Sequence, residues 1–190
     1  RSPAGFGWRN LPSPVKIPTM NCSFALFPTA IGTLAIVWAR QGIVGLALPA
    51  ASETALRTGI VRRFPGGEEQ KPAFGIDLAI RDISRLLAGE PVDLARIALD
   101  FTDVAEFDRQ VYEIARSILP GETRTYGEVA RTLGDVALSR QVGQALGRNP
   151  FPVVVPCHRV LAANGRTGGF SAPGGVATKF RILAIEKARF

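Results

Sequence analysis

The only histidine of the chain follows a cysteine in the segment Pro156-Cys157-His158-Arg159, and this pair is the clearest candidate for chemistry. A cysteine attacks as the thiolate, which a neighbouring base or positive charge stabilises. His158 and Arg159 can both supply that charge. Because consecutive side chains of a strand point to opposite faces, contact between Cys157 and His158 requires a turn after Pro156 or a bridging water. The same pattern also fits a buried structural cysteine beside a surface histidine.

The composition excludes several other kinds of site. With one His and two Cys, the chain can form neither a disulfide framework, a four-cysteine zinc site nor a site that needs two histidines. Cys22 lies in an apolar run and is expected in the core. The glycine-rich segment 165–175 lacks the lysine of a phosphate-binding Walker loop. The longest apolar runs, such as 43–51, are shorter than the roughly 18 residues of a membrane span.

The formal net charge of +7 is unevenly distributed along the chain. Residues 1–19 carry three basic residues and no acidic one, and residues 20–100 are neutral overall. The stretch from Val136 to Arg181 contains six basic residues and neither Asp nor Glu. We expect this stretch to be electropositive. That favours a nucleic-acid contact surface over an ordinary solvated basic face.

The first half of the chain predicts a disordered extension and then a small α+β domain. Residues 1–20 are rich in proline and glycine and show no apolar period. The domain, at 21–100, begins with three β-prone runs that predict an antiparallel meander at 22–27, 33–39 and 43–48. Two helices are expected next, one from Ser52 as N-cap to 63 and one around 76–87. A last strand near 94–99 is expected to rejoin the sheet.

Residues 101–190 predict a mostly helical second domain that begins with a helix around 107–118. Thr125-Tyr126-Gly127-Glu128 has the spacing of a capping box, which predicts a short second helix to 133. Gly134-Asp135 then turns the chain into a third helix at 137–146. Two short helices with such a turn are typical of a helix-turn-helix, and also of ordinary helix pairs.

The third and last helices carry further candidate residues. Arg140 and Gln144 lie one turn apart and can face an outside partner. Small residues on the same helix allow a close approach, either of another helix or of that partner. A closing helix is expected at 179–188 with three residues turned inward, namely Phe180, Leu183 and Ala184. Its Glu186 is either a solvated acid or the carboxylate that orients His158.

These segments together resemble the O6-alkylguanine-DNA alkyltransferases, also called methylated-DNA–protein-cysteine methyltransferases. Residues 156–160 match the hallmark motif of the family, and segments 139–143 and 147–150 lie at the family's spacing before it. Strong similarity covers 101–190, where Thr125-Tyr126-Gly127-Glu128 fits the first motif helix. The resemblance implies an α+β fold, with a small N-terminal α+β domain that has an antiparallel sheet. A mostly helical C-terminal domain with a helix-turn-helix would follow it.

The resemblance also implies a mechanism of single-turnover DNA repair. Cys157 would take the alkyl group from O6 of a guanine rotated out of the duplex, without metal or other cofactor. His158 would deprotonate the thiol through a water, Glu186 would hold the imidazole, and Asn149 would support the site by hydrogen bonding. The protein would act as a monomer, in the cytoplasm or in the nucleus of a eukaryote.

A second set of residues would bind the DNA if the resemblance holds. The partner is double-stranded DNA that contains O6-alkylguanine, bound in the minor groove. Tyr126 would assist the leaving base and Arg140 would fill the gap in the duplex. The backbone around Val160 and Ser171 would line the guanine pocket. Phe170 departs from the family, which often has tyrosine there, and the loop after Ser171 is about two residues longer than usual.

Two functions from other classes stay open on the residues alone. A non-catalytic DNA-lesion binder would resemble the family but replace the reactive cysteine, whereas Cys157 is present here. A cysteine hydrolase would need a nucleophile and a base from separate elements, together with an oxyanion hole. A transcriptional role for the helix-turn-helix is a further possibility beside repair.

Overall fold

The N-terminal sheet is built on the predicted meander, with strands β1 (Ser23–Thr29), β2 (Gly32–Ala39) and β3 (Gly42–Ala47). The structure, a computed structural model, describes residues 21–163, 169–170 and 173–188, so the extension predicted at 1–20 lies outside the described residues. Neighbouring strands are antiparallel, and Gly32 and Gly42 open β2 and β3 with positive φ angles of 122° and 148°. The two-residue strand β4 (Glu68–Glu69) adds a parallel partner to β1 that the sequence did not predict.

The middle of β2, residues 34–37, is buried on both faces of the sheet, and successive side chains pack into two different apolar clusters. Ala35 and Val37 pack in a cluster with Leu56 and Ile60 of helix α1 (Glu53–Arg63). Leu34 and Ile36 belong to the larger cluster, which includes helix α2 (Phe74–Leu87) and the apolar residues of the second half. The N-cap predicted for α1 is confirmed, because the Ser52 side chain accepts from the backbone N–H of Ala55 at 3.1 Å.

The strand predicted at 94–99 is wrong. Residues 94–97 form a turn in which the N–H of Ile97 donates to the carbonyl of Leu94, and Leu99 makes only one isolated bridge to Ile43. The side chain of Arg116 donates to the carbonyls of Leu94, Ala95 and Ile97. These carbonyls therefore bond to a guanidinium instead of a strand.

The second half is helical as predicted and contains a helix-turn-helix. Its helices are α3 (Glu106–Arg116), α4 (Tyr126–Thr132), α5 (Ser139–Gly147) and α6 (Gly175–Ile185). The Thr125–Glu128 capping box begins α4, with the N–H of Glu128 donating to Thr125 Oγ1 at 3.1 Å. Helix α5 begins two residues later than predicted, because Asp135 caps a 3-10 turn at Val136–Leu138 first.

Helix α6 differs from its prediction in both its start and its inward face. It begins at Gly175 instead of residue 179, and Lys179, Ile182 and Leu183 are buried. Phe180 and Ala184, predicted to face inward, are exposed. The lysine can occupy an inward position because its ammonium group has a carbonyl partner in the interior, which a pattern of apolar residues does not reveal.

A short parallel pair of strands joins the helix-turn-helix to the segment around residue 157. Strand β5 (Arg124–Thr125) pairs with β6 (Val160–Leu161), so the residues just before α4 lie beside those just after Arg159. The larger apolar cluster includes residues from both halves of the chain, and the domain boundary near residue 100 stays a prediction.

We predict that Thr125→Ala lowers the free energy of unfolding by about 1 kcal/mol, because it removes the hydroxyl that accepts from the first turn of α4. Denaturant unfolding measures the change. Thr132→Ala, in the same helix, is the control: its hydroxyl is exposed and bonds only a carbonyl within the helix. Equal losses in the two variants would contradict a specific role for the cap.

Candidate active site

The segment that leads to Cys157 is a tightly bonded loop and not a strand. The Asn149 side chain makes two hydrogen bonds inside this loop. Its amide group donates to the carbonyl of Val155 at 2.9 Å, and its Oδ1 accepts from the N–H of Phe151 at 2.9 Å. Val153 has a φ of 77°, a strained conformation for a β-branched residue. The valine run is therefore bent back on itself.

Cys157 begins a 3-10 turn, Cys157–Arg159, directly after Pro156. This turn, one of the two arrangements that the sequence left open, lets three consecutive side chains face the interior of the second half. His158 and Arg159 are buried, whereas Cys157 is only partly buried and has a free thiol. Cys22 is also free but lies buried among the apolar residues that pack under α1, as predicted.

His158 and Glu186 form a buried pair. Their side chains are 1% and 0% exposed, and His158 Nε2 lies 3.0 Å from Glu186 Oε1. Because an ionised carboxylate only accepts, Nε2 carries the proton and Nδ1 presents a lone pair. No described residue bonds to Nδ1. The imidazole is therefore arranged as a proton acceptor, and Glu186 is not a solvated acid.

Opposing effects set the pKa values of this pair. Burial alone would raise the pKa of Glu186, but hydrogen bonds from His158 and Arg159 outweigh it and hold that pKa at about 2. Burial lowers the pKa of His158 below its usual value, and the charge of Arg159 acts in the same direction. The carboxylate is therefore ionised at neutral pH and the imidazole is neutral.

Burial raises the pKa of the Cys157 thiol, and three kinds of neighbour oppose that increase. These are a hydrogen bond from Asn149, the positive charge of Lys179, and the backbone N–H groups of the turn itself. The Asn149 side chain thus both shapes the loop and favours the thiolate.

Lys179 is the residue that sequence reasoning missed. Its side chain is fully buried, Nζ donates to the carbonyl of Val160 at 2.7 Å, and Nζ lies 5.9 Å from the centre of the Tyr126 ring. Burial lowers its pKa to about 8, against the influence of Cys157. The sequence allowed Arg159 to supply charge to the thiol, but its guanidinium bonds Glu186 and the carbonyl of Ile118 instead. Nothing in the sequence around Lys179 predicted this role.

The candidate DNA-binding residues occupy three different settings. Tyr126 is the first residue of α4 and lies against α5, where a Cβ at Gly143 would be 3.8 Å from its ring. Arg140 is exposed near the start of α5. Val160 is buried and its carbonyl holds Lys179. Ser171 lies outside the described residues.

The basic stretch from 136 to 181 is less electropositive than its composition suggests. Acidic residues from outside the stretch neutralise two of its arginines: Asp108 binds Arg148 through two hydrogen bonds, and Glu186 binds Arg159. Lys179 is buried, whereas Arg140 is open to solvent. Within the described part of the chain there is no cluster of three potential metal ligands, and no helix is long and apolar enough to cross a membrane.

Comparisons with known sequences identify the helical half of the chain. A family model described as the DNA binding domain of 6-O-methylguanine DNA methyltransferase matches residues 106–188. A Methanothermobacter thermautotrophicus protein named methylated-DNA–protein-cysteine methyltransferase is 34% identical over 153 residues, which are 80% of this chain and 78% of that protein. A Mycolicibacterium paratuberculosis protein of the same name is 40% identical over 109 residues, covering 57% of this chain and 64% of that protein.

Solved structures show the same arrangement of both halves. Mycobacterium tuberculosis OGT in complex with DNA superposes with a TM-score of 0.70 at 28% identity, covering 87% of this chain and 93% of that chain. The O6-methylguanine-DNA methyltransferase from the archaeon Pyrococcus kodakaraensis gives a TM-score of 0.66 at 27% identity, covering 87% and 98%. The α+β architecture predicted for the chain is therefore confirmed.

We predict that Lys179→Met raises the pKa of Cys157, because it removes the nearby charge that favours the thiolate. The pH dependence of alkylation by iodoacetamide measures this in a Cys22→Ala background, where Cys157 is the only thiol. Lys71→Met is the control, since Lys71 is exposed. A midpoint that does not move in Lys179→Met would exclude an electrostatic role for the lysine.

Proposed function

The chain belongs to the O6-methylguanine-DNA methyltransferase family, and we propose that Cys157 is the residue that accepts the alkyl group. The protein repairs DNA by transferring an alkyl group directly from O6 of guanine to one of its own cysteines, one group per protein molecule. One observation carries the assignment to Cys157: this partly buried residue has a free thiol and directly precedes His158, which pairs with Glu186 in the interior and whose Nδ1 bonds to no described residue.

The proton and electron movements follow from this arrangement. His158 Nδ1 takes the proton of the Cys157 thiol through a water, and Glu186 stabilises the imidazolium that forms. The thiolate lone pair then forms a bond to the alkyl carbon as the bond from that carbon to O6 breaks. The bonding electrons leave with the guanine, which takes up a proton that in net replaces the one lost by the thiol, and the other product is an S-alkylcysteine. Because a thioether is a very poor leaving group, each molecule reacts once.

Tyr126 and Val160 are proposed to act on the guanine itself. Burial raises the pKa of the Tyr126 hydroxyl, so it stays protonated and can donate to the base as negative charge develops on it. The Val160 carbonyl holds Lys179 with one lone pair and has a second that can accept from the base. The backbone of Ser171 is proposed to line the same pocket, by family resemblance.

The α4–α5 pair is proposed to bind double-stranded DNA in the minor groove and to support rotation of the base out of the stack. Arg140 supports this because it is an exposed cation near the start of α5, on a segment that carries no acidic residue. Its planar guanidinium can fill the space that the rotated guanine leaves.

The setting of the protein follows from its substrate. We place it with the DNA, in the cytoplasm of a prokaryote or the nucleus of a eukaryote, acting as a monomer without a metal or organic cofactor. We also propose 21–100 and 101–190 as its two domains, with every described candidate site residue in the second.

We predict that duplex DNA containing O6-methylguanine adds one methyl mass to the Cys157 peptide, with one equivalent per molecule, because the S-alkylcysteine cannot be released. Peptide mass spectrometry measures the adduct. Cys157→Ala is expected to bind the same DNA without any transfer, and Cys22→Ala, at the other thiol, to transfer normally. Repeated turnover would favour a cysteine hydrolase, and binding without transfer by the unsubstituted protein would favour a lesion binder.

We predict that Arg140→Ala slows repair by an amount on the order of 1–3 kcal/mol, because the cost of unstacking the base is no longer offset by the inserted side chain. Single-turnover rates on methylated duplex DNA measure the loss. Arg140→Lys keeps the charge and is expected to recover phosphate attraction but not the full rate. Arg85→Ala, which removes an exposed arginine from α2, is the control for net charge. A wild-type rate in Arg140→Ala would rule out the intercalating role.

A further inference from the structure

Arg159 is a buried arginine that grips the carboxylate of Glu186 with two parallel hydrogen bonds. Its Nε donates to Oε2 at 2.9 Å and its Nη2 donates to Oε1 at 2.7 Å. A guanidinium and a carboxylate bound in this way are held in one plane, so the arginine fixes the orientation of the acid as well as its charge. His158 Nε2 shares Oε1 with the arginine.

A third hydrogen bond anchors Arg159 to the framework. Its Nη1 donates to the carbonyl of Ile118 at 2.6 Å, just beyond the end of α3. Glu186 follows the last residue of α6, so the guanidinium connects the ends of two helices. The carboxylate that faces His158 is therefore held by an arginine of the Cys157–Arg159 turn, and the Ile118 carbonyl fixes that arginine from outside the turn.

Charge balance explains what the arginine does for the histidine. A buried carboxylate with no cation beside it would favour a proton on the neighbouring imidazole, or would bind one itself. With Arg159 present, the Arg159–Glu186 pair is neutral overall and His158 can stay uncharged. Among the described residues, the charged groups that act on the imidazole are Glu186, Arg159 and Lys179, and the Cys157 thiol directly precedes it in the chain. Both cations disfavour a protonated ring.

We propose that Arg159 is a positioning residue that keeps His158 neutral, with its proton on Nε2, by holding the charge and both oxygens of Glu186. The lone pair on Nδ1 is then available to receive the thiol proton when substrate arrives. The effect on repair rests on the function proposed above, but the protonation state of His158 does not. The two can therefore be tested separately.

Nitrogen-15 NMR of the imidazole tests the proposal without DNA, since the chain has a single histidine and its signals need no assignment. The unsubstituted protein is expected to show a neutral ring protonated at Nε2 at about pH 7, because the pKa of His158 lies below its usual value. In Arg159→Met, the midpoint of the histidine titration is expected to rise by about one unit or more. In Arg159→Lys, which keeps a charge but loses the planar two-bond contact with Glu186, the midpoint of the histidine titration is expected to rise less.

Arg57 provides a matched control. It binds Glu69 with the same two-bond geometry, Nε to Oε2 and Nη2 to Oε1, but on the exposed surface beside α1. Arg57→Met and Arg57→Lys are expected to leave the midpoint of His158 unchanged. The pH profile of methyl transfer should shift with the midpoint in the Arg159 variants and not in the Arg57 variants.

Two results would overturn the proposal. One is a charged or Nδ1-protonated imidazole at about pH 7 in the unsubstituted protein, which needs no variant to fold. The other is a midpoint in Arg159→Met or Arg159→Lys that equals that of the unsubstituted chain. If the NMR results agree with the proposal while no methyl transfer occurs, then the proposed function fails and the role of Arg159 in the charge state stands.

Discussion

The carboxylate of Glu186 is the point on which the site depends. It is fully buried, and burial of an ionised acid is costly unless its oxygens are satisfied. His158 and Arg159, two consecutive residues of one tight turn, supply the hydrogen bonds. The conformation of that turn and the end of α6 therefore stabilise each other. Cys157 takes its place because it is the first residue of the same turn.

The remaining contacts of the site come from elements that are distant in sequence. The N–H of Leu46 in β3 donates to the carbonyl of Pro150 at 2.8 Å, next to the Asn149 that organises the loop before Cys157. Arg181 of α6 donates to the carbonyls of Ala30 and Ile31 at the turn between β1 and β2. The N-terminal sheet thus holds both segments that carry reactive groups, although it contributes none of its own.

How much of this was predictable depended on whether the cause was local. The meander and the helix starts at Ser52 and Thr125 follow from hydrogen bonds or φ preferences within a few residues, and the sequence predicted them. The turn after Pro156 was one of two arrangements that the sequence left open. The inward position of Lys179 and the loss of the strand at 94–99 depend on Val160 and Arg116, partners 19 or more residues away. The spacing of apolar residues along the chain does not reveal partners that are so distant in sequence. The sequence allowed Arg159 to supply charge to the thiol for the same reason, because only the fold brings Glu186 beside the arginine.

The two-residue ladder between β5 and β6 has a consequence for how this scaffold tolerates change. Arg124 and Thr125 immediately precede Tyr126, and Val160 and Leu161 immediately follow Arg159, so the pairing fixes the helix that carries the tyrosine relative to the turn that carries the thiol. Insertions in the connection between Leu161 and Gly175 lie outside the paired strands β5 and β6. A change in the length of that connection is therefore expected to leave Tyr126 and Cys157 in the same position relative to each other.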